Sequence, residues 1–363
     1  MASIGAYALS DGARRYRVYY RDPSHKSKEK SGFRRKKDAE DWMARNVTTA
    51  ISDGDYVDPR GARTRIEKLG EEWIEGHRSV WKPSYIHSVE TSWKVHVKPK
   101  WGDRTLGGIK HTEVQSWVSK MAKDGKSASV VYRAFGILKG IYENAVKDRL
   151  INRVPTQDIN LPAKVKKPHL YLTVDQVLNL ADKCGRYRTL ILTLGFCGLR
   201  WGEATGLRIS DLNFKRGRIT ISKSATYVGG SIELGTPKNN KAREVPMPSI
   251  VRLALLKEIE GRKPGDLVFT DENGGYVRQQ SVGKGHRGWF RKGLEETGLP
   301  LLKPHDLRHT AASVAVSSGA SVKVVQRMLG HSSAAMTLDT YSDLFDTDLD
   351  DVALNIDALI QGK

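Results

Sequence analysis

Two stretches punctuated by glycine and proline constrain this chain more than any other feature. Residues 53–65 carry Gly54, Pro59 and Gly61; residues 152–167 carry Pro155, Pro162 and the basic run Lys164-Val165-Lys166-Lys167. Glycine lacks a side chain to pack and proline lacks an N–H to donate, so both stretches read as linkers. A chain of 363 residues is also too long for one ordinary core. The expectation is three separately cored segments, 1–55, 66–152 and 168–363, in a multidomain, mainly α protein.

Each segment has its own periodicity. In the first, Arg15-Tyr16-Arg17-Val18-Tyr19-Tyr20 is aromatic and branched and predicts a strand. Asp22-Pro23 predicts a turn, 28–33 a second extended stretch and 36–46 a helix, giving a small sheet-plus-helix domain. The second segment is helical. Leu69, Trp73, Ile74 and His77 share one face, as do Val114, Trp117, Val118 and Met121, and Val130, Ala134, Ile137, Ile141 and Ala145. In the third, Thr173 with Gln176 three residues on predicts a helix start. An apolar helix over 187–197 is broken by Gly198, and short strands are expected at 218–222 and 243–245. The remainder reads as helix, so this segment is mostly helical with a small β-sheet.

The formal net charge is +19, which favours a polyanionic partner because neutralised phosphates release counterions. Eleven Lys and Arg lie between Arg14 and Lys37, against only Asp22 and Glu29. Cations interleaved with Tyr and Phe suit a sheet laid on a nucleic-acid groove. Arg15, Arg17, Arg21, Lys28, Arg34 and Arg35 are candidate contacts there, and Lys164, Lys166 and Lys167 in the second linker. Composition alone leaves RNA open. No apolar run approaches the roughly 20 residues that cross a bilayer, and residues 1–20 lack a signal-peptide pattern, so a cytoplasmic protein without membrane contact is expected. The two cysteines, Cys184 and Cys197, sit among apolar neighbours and are expected to be reduced core residues.

The chemistry lies in the third segment. In Gly198-Leu199-Arg200-Trp201-Gly202-Glu203, Arg200 and Glu203 are three apart and share a helical face. By themselves they read as an ordinary ion pair, although a fixed Arg can fork onto two phosphate oxygens. In His305-Asp306-Leu307-Arg308-His309, His305 and Arg308 share a face at a helix start. The His305/His309 spacing could suggest zinc, but no Glu adjoins the first His and no cysteine pair is near, so phosphate fits better. Leu329-Gly330-His331-Ser332-Ser333 predicts a helix end at Gly330 and a new start capped by Ser332 or Ser333, with Tyr341 about two turns on. A tyrosine hydroxyl titrates near 10, so as a nucleophile it needs cations or a base beside it.

In chain order Arg200, Lys238, His305, Arg308, His331 and Tyr341 resemble the signature of the tyrosine recombinases, the phage-integrase family. The resemblance is strong over about 170–345, including a Lys in the polar turn Thr236-Pro237-Lys238-Asn239-Asn240. The stretch Ala334-Ala335-Met336-Thr337-Leu338-Asp339-Thr340-Tyr341 is similar to integrases of actinobacterial phages, mycobacteriophages among them. The middle segment resembles the family's core-binding domain, and the first, more weakly, its arm-binding domain. One departure is the interval from His331 to Tyr341, ten residues where many members have nine.

The resemblance implies a DNA strand transferase that integrates phage DNA at attachment sites, and excises it with helpers. Tyr341 attacks a DNA phosphate to form a 3′-phosphotyrosine. Arg200 and Arg308 neutralise the non-bridging oxygens, and His305 and His331 donate hydrogen bonds there. His305 is the candidate acceptor of the tyrosine proton, Lys238 protonates the leaving oxygen, and Glu203 orients a neighbour, with His305 the candidate. No metal, ATP or other cofactor is implied. The implied partners are double-stranded DNA of core and arm types, three further protomers in a homotetramer, a host DNA-bending protein and a phage excisionase. The alternative is a type IB topoisomerase, which carries the same catalytic set; the basic N-terminal sheet and the integrase-like tail argue against it. That tail sets Leu349, Val352, Leu354, Ile356, Leu359 and Ile360 among Asp343, Asp346, Asp348, Asp350 and Asp351. It is expected to dock on a neighbouring protomer or to pack on its own chain.

Overall fold

Strand alternation builds the N-terminal part. In the computed structural model, which describes residues 2–23, 25–52, 56–57, 61–165, 169–237, 241–283, 285–344, 356–358 and 360–361, three antiparallel strands form one sheet. They are β1 (Ser3–Ala8), β2 (Arg14–Arg21) and β3 (Ser27–Phe33), in that order. Successive side chains of a strand point to opposite faces. Tyr16, Val18 and Tyr20 therefore face a small core with Ala39 and Val47, while Arg15, Arg17, Tyr19 and Arg21 face the other way. The helix at Lys36–Met43 continues through Ser52, past the expected end at 46. Tyr56, placed by sequence in the linker, is buried in this core, its hydroxyl 3.3 Å from that of Tyr20.

The middle helices are Ile66–His77, Pro83–Ser92 running on helically to Trp101, His111–Lys123 and Ala128–Lys147. The expected stripes form the core: Val114, Trp117, Val118, Met121, Ala134, Ile137, Ile141 and Ala145 are all buried. Gly70 is there because Trp93 occupies the space of a side chain; a Cβ would lie 2.2 Å from its ring. Much of the second expected linker is fastened to this core. Val154, Ile159 and Leu161 pack against it, and Gln115 exchanges two hydrogen bonds with the backbone of Asn160, at 2.8 and 3.1 Å. Prolines there stop helices without preventing packing. By their contacts these two cores form one unit, Met1–Val165, and the rest of the chain a second, Lys166–Lys363.

The second unit is built around the Arg188–Cys197 helix, whose residues are buried almost throughout. The helices Val174–Lys183, Ser249–Glu258, Trp289–Glu296 and Asp306–Ser317 surround it. Thr173 and Gln176 make the expected reciprocal cap. A sheet of β4 (Leu212–Asn213), β5 (Arg218–Ile221) and β8 (Arg243–Pro246) lies beside them, with a hairpin of β6 (Ser224–Val228) and β7 (Ser231–Gly235). Cys184 and Cys197 are free and buried, and burial pushes both thiols up to about 12, so they are inert core residues. Among the described residues no helix is long and apolar enough to cross a membrane.

Candidate active site

Two glycines in left-handed conformation deliver the segments that carry the candidate site residues. Gly198 (φ 67°) ends the buried helix, and the chain turns so that Arg200 begins the short helix Trp201–Thr205. Gly330 (φ 64°) ends Val322–Leu329 and presents His331. A residue with a Cβ adopts this φ only with strain. Of the two serines offered for the next cap, Ser333 serves: its hydroxyl accepts from the Met336 N–H at 3.2 Å, starting the helix Ala334–Tyr341 that carries the tyrosine.

Glu203 is 1% exposed, and three groups converge on it. The Arg200 backbone N–H and side-chain Nη1 each donate at 2.9 Å. Arg243, the first residue of β8, donates through both terminal nitrogens, at 2.9 and 2.7 Å. Burial alone would raise this carboxyl; the Arg243 hydrogen bonds and charge, then Arg200, outweigh it and hold Glu203 at about 2. Glu203 thus accepts from two arginines, where the sequence offered His305 as the neighbour it orients; the carboxylate faces the cations because a buried anion needs them. Arg308, 3% exposed, donates to the carbonyls of Gly198, at 2.5 Å, and Leu329, so it ties both glycine turns together.

Tyr341 is 1% exposed, and its hydroxyl lies 2.9 Å from Nδ1 of His309. Behind His309 the His169 ring is 4.0 Å away, and His305 stands edge-on at 5.3 Å. His331 lies parallel to Tyr341 at 6.1 Å, its Nδ1 3.0 Å from the Thr337 hydroxyl. Burial, then the neighbouring histidines and Arg308, lower His309 to about 3; burial, then Arg308 and Arg200, lower His331 to about 4. Burial raises Tyr341 to about 12 against the pull of Arg308 and Arg200. The tyrosine–histidine pair is therefore neutral, with the proton on oxygen. An open cavity of about 1010 Å³ adjoins the cluster, lined by Arg200, Lys241, Arg243, Lys323, Arg327 and His331. It is a cationic trough, its charged lining being five Arg and Lys against Glu244.

The fold thus brings Arg200, Glu203, His305, Arg308, His331 and Tyr341 to one place. Lys238 lies outside the described residues; Pro237 and Lys241 on either side of it line the cavity. Of the proposed basic contacts, Arg15, Arg17 and Arg21 share one face of the N-terminal sheet, where the Arg17 guanidinium lies 4.0 Å from the Tyr7 ring centre. Lys28 pairs with Tyr20 and so lies on the opposite face, 3.9 Å from Asp22, because strand register and not charge decides the side. Arg34 and Arg35 are exposed beyond β3. Lys164 rests over the Tyr132 ring at 4.1 Å, and Lys166 and Lys167 lie outside the described residues. Sequence reasoning missed His309 as a partner of the tyrosine, although it stands four residues after His305 and hence on the same helical face. It also missed Arg243, forty residues from Glu203, for which no local signal exists. Among the described residues no group of three or more His, Cys, Asp or Glu is arranged to hold a metal ion.

Residues 171–347 match the phage integrase family, and residues 66–161 the phage integrase central domain. The chain is 23% identical over 317 residues to an integrase of Mycobacterium phage FRAT1, covering 83% of this chain and 92% of the relative. The fold resembles that of the Tn1549 transposon integrase solved with transposon right end DNA (TM-score 0.68, 22% identity, 80% of this chain and 100% of the other). It also resembles the lambda integrase tetramer bound to a Holliday junction (TM-score 0.58, 16% identity, 91% and 96%). The chain belongs to the phage integrase family of tyrosine recombinases.

Proposed function

We propose that the protein is a site-specific DNA recombinase that integrates a mobile element, a phage genome on the resemblance, at an attachment site through a 3′-phosphotyrosine. The observation that carries this is the placement of the Tyr341 hydroxyl in one cluster with Arg200, Arg308 and His331, beside a cationic trough. In the proposed step Tyr341 Oη attacks phosphorus and the bond from phosphorus to the 5′ oxygen breaks. Arg200 and His331 face the non-bridging oxygens, whose charge needs fixed donors as the pentacoordinate state forms. The tyrosine proton passes to His309, already in hydrogen-bond contact, which displaces His305 from that role. Entry of an anionic phosphate raises the affinity of both His309 and His331 for protons. Lys238 supplies the proton to the departing 5′ oxygen. The phosphotyrosine conserves the diester bond energy, and attack by the 5′-hydroxyl of a partner strand reverses the step without ATP.

Double-stranded DNA is the proposed substrate and a tetramer on two duplexes the proposed assembly, the form in which lambda integrase was solved on a Holliday junction. The tyrosine- and arginine-bearing face of the N-terminal sheet supports a second DNA contact, at arm-type sites. A host bending protein and an excisionase would join there. The proposed docking of the tail on a neighbour rests largely on residues outside those described; Ile356 and Ile360 within it are exposed. The test is to sequence insertion junctions made when the gene is expressed beside host chromosomal DNA, then to challenge a nicked duplex of that sequence. A covalent adduct with the wild type and none with Tyr341→Phe is expected. Relaxation of supercoils without any fixed junction would favour a type IB topoisomerase.

A further inference from the structure

Arg243 belongs to none of the motifs, yet its guanidinium joins three segments of the active site. It starts β8, binds both oxygens of Glu203, and donates from Nε to the Met328 carbonyl at 3.0 Å. Arg308 donates to the next carbonyl, Leu329. Two cations thus close the C-terminal end of the helix that leads into Gly330 and His331, the end at which a helix favours positive charge. The fit there is close, since a Cβ on Gly330 would lie 2.9 Å from Cδ of Arg243. The position of His331 is in this way referenced to Arg243.

The same guanidinium governs Arg200. Glu203 is buried and ionised, and such a carboxylate draws in every donor within reach. Arg243 occupies both oxygens in a fork, so the Arg200 side chain meets the carboxylate with Nη1 only, beside the bond from its backbone N–H. Its other side-chain N–H groups have no acceptor among the described residues, and Arg200 lines the trough. Without Arg243 the fork geometry of Glu203 is open to Arg200 itself, which would turn from the phosphate to pair with it.

We propose that Arg243 is a positioning residue for phosphoryl transfer, holding Glu203 and the end of the Val322–Leu329 helix so that Arg200 and His331 face one phosphate. This rests on the recombinase reading above. The test uses the full chain and a nicked duplex carrying the mapped crossover, with either an ordinary scissile phosphate or a methylphosphonate in its place. The methyl group removes the charge that Arg200 neutralises. On the ordinary substrate at saturating DNA, Arg243→Met should form adduct about 100-fold more slowly than wild type, the loss typical of one misplaced oxyanion donor. Arg243→Lys, with charge but no fork, should fall between. On the methylphosphonate the deficit of Arg243→Met should shrink, and so should that of Arg200→Ala. Adding Glu203→Gln to Arg243→Met should recover part of the rate, because the competing carboxylate is gone. Val251→Ala, which only loosens the same core, serves as the control, with an equal deficit on both substrates. The proposal is overturned if Arg243→Met cleaves at the wild-type rate, or if its deficit is the same on both substrates as in the control. Failure of the recombinase reading is seen separately, as a wild type that forms no more adduct than Tyr341→Phe.

Discussion

Two of the buried tyrosines, Tyr142 in the helical core and Tyr341 in the second unit, are almost fully out of solvent, and their surroundings differ. The Tyr142 hydroxyl donates to the Leu106 carbonyl at 2.7 Å, and the nearest charges, Arg104 and Glu113, pull its titration in opposite directions. Burial therefore dominates, and the phenol is raised well beyond the usual range. Tyr341 is buried as deeply, but its hydroxyl meets a histidine, and Arg308 and Arg200 pull against burial without an acidic group opposing them on the tyrosine. Burial makes a tyrosine inert, and what distinguishes a nucleophile is which charges are left uncompensated around it.

Removing the two hydroxyls gives the sharpest contrast. Tyr341→Phe is expected to abolish covalent adduct on a nicked site while heat denaturation and DNA binding stay close to wild type. Adduct of undiminished yield would break the comparison. His309→Ala comes next: with the proton acceptor gone, adduct formation should slow about 100-fold, as for loss of a general base, with DNA affinity kept. An unchanged rate, measured beside His305→Ala, would return that role to His305.

The two cores should also part company in acid. His309 and His331 stay neutral in the folded protein down to about 3 and 4, whereas unfolded histidines titrate near 6.5. Below 6.5 the unfolded chain therefore binds more protons, and stability present at pH 7 is lost progressively toward pH 4. Glu203, held at about 2, adds a further loss between 4.5 and 2. Calorimetry at stepped pH should show the melting temperature falling by several degrees below 6.5, and His309→Asn should flatten that fall. The smallest effect is expected from Tyr142→Phe, which orphans the Leu106 carbonyl at a cost of about 1 kcal/mol, a shift of roughly 2–4 °C. Adduct formation by this variant should be unchanged; a slowed reaction would mean the helical core takes part in the chemistry.

How much was legible follows the distance over which each contact acts. Helical stripes such as Val114, Trp117, Val118 and Met121 were readable because a 3.6-residue period places them on one face wherever the helix docks. The turns at Gly198 and Gly330 and the Thr173–Gln176 cap were readable because they act within a few residues. The choice of Ser333 over Ser332 was not, since both offer the same hydroxyl and only the exit path of the chain separates them. The face taken by Lys28 was not, since it depends on register with β2.

By itself the sequence determined the local segments, their order, and the set of residue types that the resemblance implies for moving a phosphoryl group: two arginines, a lysine, histidines, a carboxylate and a tyrosine. Those were written in motifs a few residues long. Only the tertiary structure decided that Tyr341 meets His309, 32 residues away, and that Arg243 reaches Glu203 across 40. The physical reason is that hydrogen bonds and charge act over a few ångströms in space. Which distant residues come that close is set by how the buried helix and the sheet pack, a property of the whole core and of no single motif.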